Sequence, residues 1–267
     1  SKKRYWDKNK EIANAKKNKF KNIDEALPEL KIALNASIQQ QMISDVPLGA
    51  FLSGGIDSSL IVSMMQENSM SKVKTFTIGF ENKDYDESPY AKAVANHLGT
   101  DHTEVILKPE QALGVIPNLP SIYSEPFADS SQIPTYLVSK VAKSHVTVSL
   151  SGDGGDELFA GYDKYAALFA QELGEKDLGG SLSRSLSLFN PKELRRLLKF
   201  DCAGATVQDR ISPMLTEVRH LDAINQVLAI DTQLLLPGNN LVKPDRMGMA
   251  VSIENRAPFL DYRMAEF

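Results

Sequence analysis

The tightest constraint on how this chain can fold is a short apolar run that stops abruptly in small polar residues. Val46-Pro47-Leu48-Gly49-Ala50-Phe51-Leu52 runs directly into Ser53-Gly54-Gly55, and Ile56 to Gln66 then reads as a helix. An apolar run of that length, closed by glycines, is the pattern of a buried strand that turns at once into a helix. The pattern recurs. A β-rich stretch at 73–80 precedes helical periodicity over 88–98, and a strand at 103–107 precedes a helix at 133–143. A further strand, 146–150, ends in Ser151-Gly152-Asp153-Gly154-Gly155-Asp156. Apolar strands alternating with helices predict an α/β fold, a parallel sheet with helices on both faces. An amphipathic helix over about 23–43, with Ile23, Ala26, Leu27, Leu30, Leu34, Ile38 and Met42 at helical spacing, opens this domain, which extends over 23–165. After Tyr165 the strand signals fade. Segments 166–174, 191–199, 206–212, 217–235 and 239–253 read as helices, parted by stretches such as Gly179-Gly180-Ser181, so 166–267 is a mostly helical continuation.

Ligands of parallel sheets lie at the carboxyl ends of the strands, which is where both glycine-rich loops fall. In the first, glycines let the backbone approach a ligand closely, and the N–H groups of the first helical turn form an anion site. Ser53, Ser58 and Ser59 add hydroxyls. A Walker A loop ends in Gly-Lys-Ser/Thr, and the absence of a lysine here argues against transfer of a γ-phosphoryl group. Asp57 suits the helix dipole but repels a phosphate held at the same place, and Mg²⁺ between the two removes the conflict. The plain alternative is that Asp57 and the serines only cap a helix. In the second loop Asp153, Asp156 and Glu157 crowd around two glycines, and like charges this close call for a bridging cation. Asp156 is the candidate partner of Asp57 as a magnesium ligand; the plain alternative is an acidic surface turn.

These residues also carry a resemblance. DVPLGAFLSGGIDSS (45–59) resembles the PP-loop of the glutamine-hydrolysing asparagine synthetase family, which cleaves ATP between the α- and β-phosphates. The wider PP-loop group includes GMP synthetases and tRNA-modifying enzymes, and the preceding Asp45-Val46-Pro47-Leu48-Gly49 narrows the likeness to the asparagine synthetase type. SLSGDGGDELFAGYDKY (149–165), TFTIGF (75–80), Tyr85-Asp86-Glu87, the stretch Leu98 to His102, and EPFADSS (125–131) follow the same family. So does LVKPDRMGMAVSIENRAPFLD (241–261).

The resemblance implies a five-stranded parallel sheet of the adenine nucleotide α-hydrolase type. It places Ser53, Gly54, Gly55, Ser58 and Ser59 on the pyrophosphate, and Ser151, Gly152 and Asp153 near the α-phosphate and the acyl-adenylate. Ile78 and Gly79 would bond adenine through their backbones, with Leu52 as an apolar wall. Glu125, Asp129, Asp153 and Glu157 are the candidates for the amino-acid pocket, although Glu125 and Asp129 read equally as caps of the next helix. Lys243, Asp245, Arg246, Glu254 and Arg256 form charge pairs between helices or face the phosphates, with Arg246 the best functional candidate beside Asp57 and Asp156. His102 reads as a supporting residue rather than a base. The implied reaction is attack of a carboxylate, by analogy that of aspartate, on the ATP α-phosphorus with release of pyrophosphate. Ammonia, from glutamine through a glutaminase domain, then displaces AMP. ATP and Mg²⁺ are the implied cofactors. Other acceptors stay open (a polysaccharide, a peptide, a β-lactam precursor), as does a tRNA-modifying enzyme.

The chain departs from the family pattern at both ends. It begins with Ser1 where the family has a glutaminase domain with an N-terminal cysteine, and residues 1–22 resemble the linker after such a domain. It stops at Phe267, before a Lys-containing helix the family usually carries.

Composition narrows the remaining choices. The 267 residues carry a net charge of −4, while residues 1–22 alone hold nine Lys/Arg against Asp7 and Glu11, a balance of +7 that leaves −11 on the rest. A basic arm can meet nucleic acid, but its aromatic residues stop after Trp6, and a solvated linker is the better reading. The single cysteine, Cys202, excludes an internal disulfide or a cysteine-cluster zinc site, and histidines at 97, 102, 145 and 220 have no metal-ligand spacing. No apolar run reaches the roughly 20 residues of a membrane span. The default compartment is the cytoplasm, the expected partners are small molecules, and a homodimer is left open.

Overall fold

Five short strands form a single parallel sheet in the order β3-β2-β1-β4-β5. The computed structural model describes residues 5–17, 19–170, 178–198 and 206–267. Its chain falls into two units, one formed by residues 1–154 and 241–267, the other by 155–240. The first unit runs α1 (Lys8–Lys17), α2 (Ile23–Gln41), β1 (Leu48–Phe51), α3 (Ile56–Glu67), β2 (Lys74–Phe80), α4 (Ser88–Leu98) and β3 (Asp101–Leu107). It continues through two short helices, α5 (Pro109–Leu113) and α6 (Leu119–Ile122), to α7 (Gln132–Lys143) and β4 (Val148–Leu150). The second unit holds α8 (Gly155–Phe159), α9 (Asp163–Ala170), α10 (Leu178–Leu186), α11 (Pro191–Leu197), α12 (Val207–Val218) and α13 (Ala223–Asp231). The chain then returns to the first unit with α14 (Val242–Met249), β5 (Glu254–Arg256) and α15 (Tyr262–Glu266).

Local signals explain most boundaries. Asn22 opens α2 by accepting a hydrogen bond from Glu25 N at 2.9 Å, and Gly99, in the left-handed region at φ 71°, closes α4. Phe76 of β2 is buried against Ala142 and Val146 at the end of α7 and Ile253 before β5, a burial that contributes about 2–3 kcal/mol. The second unit has its own core of Tyr165, Leu178, Leu182, Ile211, Val227 and Ile230.

Strand order decides where a ligand can sit. From β1 the chain moves outward through β2 to β3, then crosses back to lay β4 on the other side of β1, with Ala50 of β1 level with both Thr75 and Leu150. The winding reverses between β1 and β4. At such a switch point the two outgoing loops part and leave a crevice at the carboxyl edge.

Several expectations change. Residues 241–267 supply helix α14 and the edge strand β5 to the first unit, so the helical continuation does not run unbroken from 166 to the end. Gly179-Gly180-Ser181 lies inside α10 rather than between helices, because a Cβ at Gly179 would already stand 3.1 Å from Leu215 of α12, and small residues permit that approach. The helix expected over 217–235 is broken before Asp222, which caps α13 by accepting from Asn225 N at 3.0 Å. The basic arm holds α1, and Trp6 Nε1 donates to Glu266 at 3.0 Å. Parts of the helices expected over 166–174 and 191–199, and Cys202, lie outside the described residues.

Candidate functional site

The loop after β1 is folded by its own hydroxyls. Ser53 N donates to Ser58 Oγ at 3.2 Å, the two hydroxyl oxygens stand 2.9 Å apart, and Gly55 N donates to Ser53 Oγ at 3.2 Å. Gly54 has φ 84°, and a Cβ there would collide with the backbone of Tyr90 and Ala91, so only glycine fits. The N-cap of α3 is Gly55, which has no side-chain oxygen to satisfy the first-turn N–H groups. These groups stand at the positive end of a 12-residue helix, an arrangement suited to an anion. Ser59 Oγ, in the same turn, is buried and has no hydrogen-bond partner. Asp57 stands in that turn, half-buried.

The loop after β4 comes up against it. A Cβ on Gly152 would stand 2.9 Å from both Asp57 Cβ and Ser58 N, distances that real Cβ atoms do not occupy. The switch point therefore brings Gly152 of the second loop against Asp57 and Ser58 of the first. Ser151 N donates to Arg256 O of β5 at 2.9 Å, and its hydroxyl donates to Asp153 Oδ2 at 2.7 Å, which orients that carboxylate. Gly154, at φ 92°, is pressed on Leu260.

At the carboxyl end of β2, Gly79 is hemmed in by Ile106, Ser88 and Asp86, and Asp86 Oδ1 accepts from Phe80 N and Ser88 N at 3.2 and 3.1 Å. Ile78 is half-buried on the core of Leu107, Val115 and Leu137. Leu52, expected as an apolar wall, is buried in the core, and its carbonyl accepts from the Thr77 hydroxyl. His102 lies at the opposite, amino end of β3, its Nδ1 2.9 Å from Thr75 Oγ1, with burial lowering its pKa. It supports the sheet and is far along the strand from the loops.

Residues 123–131, between α6 and α7, and helix α14 form another part of the carboxyl edge. Asp129 accepts from Lys243 Nζ at 2.9 Å and from Ser131 N and Oγ at 2.9 and 2.6 Å. Burial alone would raise the Asp129 pKa, but bonds from Lys243 and Ser131 outweigh it and hold the carboxyl at about 2. Arg246 is exposed and donates to Ser124 Oγ at 3.3 Å; Glu125 is exposed. Arg256 pairs with Glu254 at 2.7 Å and donates to the carbonyls of Gln41 and Ile43, closing the end of α2. Charge pairs in the 241–261 signature are thus structural at Arg256 and reach the 123–131 segment at Lys243.

In the second unit Glu157 is only 1% exposed and accepts from Tyr162 Oη at 2.6 Å and from Asn240 Nδ2. Burial, then the hydrogen bond and charge of Glu157, push the Tyr162 phenol upward. Asp231, fully buried, accepts from Tyr165 Oη at 2.7 Å and pairs with Lys164 at 2.6 Å. Asp156, in the first turn of α8, belongs to this unit, and a side chain at Gly161 would overlap its carboxylate. Sequence reasoning named Glu157 but not Tyr162 or Asn240. A buried glutamate demands donors, which is the signal that could have found them.

Sheet order and a glycine-rich loop at the switch point define the class: a parallel, doubly wound α/β domain. The chain belongs to the asparagine synthase family, whose model matches residues 29–267. It is 35% identical over 269 residues to a glutamine-hydrolysing asparagine synthetase 1 of Bacillus subtilis, covering 89% of this chain and 42% of that one. A putative glutamine-hydrolysing asparagine synthetase 2 of Methanocaldococcus jannaschii is 50% identical over 137 residues, 51% of this chain and 26% of the relative. The chain thus spans less than half the length of these relatives. Among solved structures, a U34-tRNA thiolase of Methanococcus maripaludis matches at TM-score 0.41 and 15% identity, covering 87% of this chain and 91% of the thiolase.

The donor set of the two loops is carboxylate, hydroxyl and backbone N–H, with no thiolate or imidazole. That set, and the buried unpartnered Ser59 hydroxyl, fit a hard divalent cation carried by phosphate oxygens. Among the described residues no group of three or more His, Cys, Asp or Glu gathers to hold a metal ion. No described helix is long and apolar enough to cross a membrane.

Proposed function

We propose that the chain is the ATP-dependent, amide-forming part of an asparagine synthetase, activating a carboxylate by adenylation. The observation that carries this reading is Gly152 pressed against Asp57 and Ser58 at the β1/β4 switch point. ATP whose β- and γ-phosphates are held at the N-terminus of α3 would have its α-phosphorus toward Ser151–Asp153. Backbone N–H groups of the first turn, with Ser53, Ser58 and Ser59, bind the leaving pyrophosphate, an electrostatic role that needs no nucleophilic side chain. Asp57 would hold Mg²⁺, which would supply charge neutralisation on the pyrophosphate. Asp153, oriented by the Ser151 hydroxyl, faces the acyl group or the incoming ammonia. Ile78 and Gly79 offer backbone groups to adenine, Glu125 one side of the acceptor pocket, and Arg246 a cation at its rim. Aspartate is the default acceptor, the ammonia comes from a glutaminase domain or from solution, and the compartment is the cytoplasm.

The test is product analysis with ATP, Mg²⁺, ammonium and a panel of carboxylates. Equal yields of AMP, pyrophosphate and asparagine support the reading. AMP with an amide of another acceptor moves the substrate but keeps the chemistry. Cleavage of ATP to ADP and phosphate refutes it.

A further inference from the structure

Lys243 occupies an awkward place. It is the second residue of α14, where the helix dipole disfavours a cation, and only about a fifth of its side chain is exposed. What compensates is Asp129, equally shielded, at 2.9 Å, with Ser131 Oγ at 2.7 Å. Asp129 in turn bonds Ser131 N and accepts from Gln132 N through its carbonyl, so Lys243 reaches onto the N-terminus of α7. One turn along α14, Arg246 bonds Ser124. The helix therefore grips the connecting segment at both ends, Ser124 and Asp129. Phe127, between these grips, stacks on Tyr123, just before the first of them, with centroids 4.6 Å apart and planes 8° off parallel, and Gln132 Nε2 donates to Phe127 O at 3.1 Å. Tyr123 Oη and Gln132 Oε1 are buried without partners, a donor and an acceptor left over on a segment otherwise held tightly.

Topology says what this grip is for. Both α7 and α14 lead into strands that run parallel to β1, so both N-termini stand at the carboxyl edge of the sheet, the edge that bears the two loops. Resting on the proposed amide-forming reaction, we infer that Lys243 is a positioning residue. Its ion pair with Asp129 fixes residues 124–129 as one wall of the acceptor pocket, and neither side chain touches acceptor or nucleotide. Asp129 accordingly acts one step removed from the pocket to which sequence reasoning assigned it.

The experiment compares Lys243→Met, Lys243→Arg, Asp129→Asn and the double variant Lys243→Met/Asp129→Asn. Pyrophosphate release is followed against acceptor and ATP concentration, with backbone hydrogen exchange beside it. Lys243→Met is expected to raise the acceptor KM about tenfold, the scale of a displaced positioning contact, with ATP affinity within about twofold of wild type. Lys243→Arg restores most of it, and the double variant is no worse than the worse single. Parallel loss of ATP and acceptor binding together with a falling Tm would mean a merely structural pair and overturn the inference, as would an unchanged acceptor KM. If the wild-type chain turns over no acceptor, it is the functional reading that fails. Exchange still decides the clamp: faster exchange at 124–131 in Lys243→Met, with 53–59 unchanged, supports it, and unchanged exchange overturns it.

Discussion

Replacing Gly152 by alanine is the sharpest perturbation the structure offers, because it adds one methyl where the two loops touch. The new Cβ would stand 2.9 Å from Asp57 Cβ and from Ser58 N. Carbon contacts settle at about 3.5–4.0 Å, so one loop must retreat by roughly 0.6 Å or more. Neither obstacle is the far end of a flexible side chain; one is backbone and the other a Cβ. The backbone of Gly152 lies outside the left-handed region, so alanine is not excluded conformationally and the whole penalty is steric. Overpacking of this kind costs about 1–3 kcal/mol of stability. At the phosphate site the same displacement matters more, since an error near 1 Å costs up to about a hundredfold. Gly152→Ala is therefore expected to weaken Mg²⁺–ATP binding by roughly ten- to a hundredfold by titration calorimetry. Gly238→Ala, where a Cβ meets nothing within 4 Å, is the control and should change little. An affinity for Gly152→Ala within about twofold of wild type would refute the claim that these loops share a phosphate site.

Removing the buried, unpartnered hydroxyl with Ser59→Ala should leave the free chain as stable or up to about 1 kcal/mol more so while weakening ATP binding, read by melts with and without nucleotide. Asp129 is held at about 2, below the usual carboxylate value, so its pairing stabilises the fold above about pH 4 and is lost as pH falls toward 2. Discounted for partial exposure, the contribution is about 1–2 kcal/mol, and urea melts of Asp129→Asn should differ from wild type by that much at pH 6, by about a third of it at pH 2.5, and converge only below about pH 2. Asp231→Ala leaves Lys164 without its partner at 2.6 Å and should cost about 3–5 kcal/mol, whereas Asp231→Leu combined with Lys164→Met should recover most of the loss. Equal melting temperatures for the single and double variants would argue that the pair is not coupled.

The sequence made the central sheet legible because its signals were local. The strand–glycine–helix junctions at 46–59 and 146–156 need only neighbours to be read, and α4 begins and ends where the periodicity over 88–98 places it. Strand β5 was not legible, because Glu254-Asn255-Arg256 has no apolar alternation. Its strand form comes from pairing with β4, a contact between residues about a hundred positions apart. Helix α10 was hidden for the opposite reason: Gly179 and Gly180 look like a break, yet packing against α12 needs a small residue. The site divides the same way. Asp57 and Gly152 could be named from their loops, whereas the role of Asp129 depends on Lys243, 114 residues away, and that of Glu157 on Asn240. Sequence could name the acids but not their partners.

The central claim is that Asp57, in the first turn of α3, holds the divalent ion that carries the triphosphate. Calorimetric titration of ATP over a series of Mg²⁺ concentrations, into wild type and Asp57→Asn, tests it most directly. Asp57→Asn is expected to lose at least about tenfold in affinity and most of its Mg²⁺ dependence. Wild-type affinity with full Mg²⁺ dependence in Asp57→Asn would contradict it.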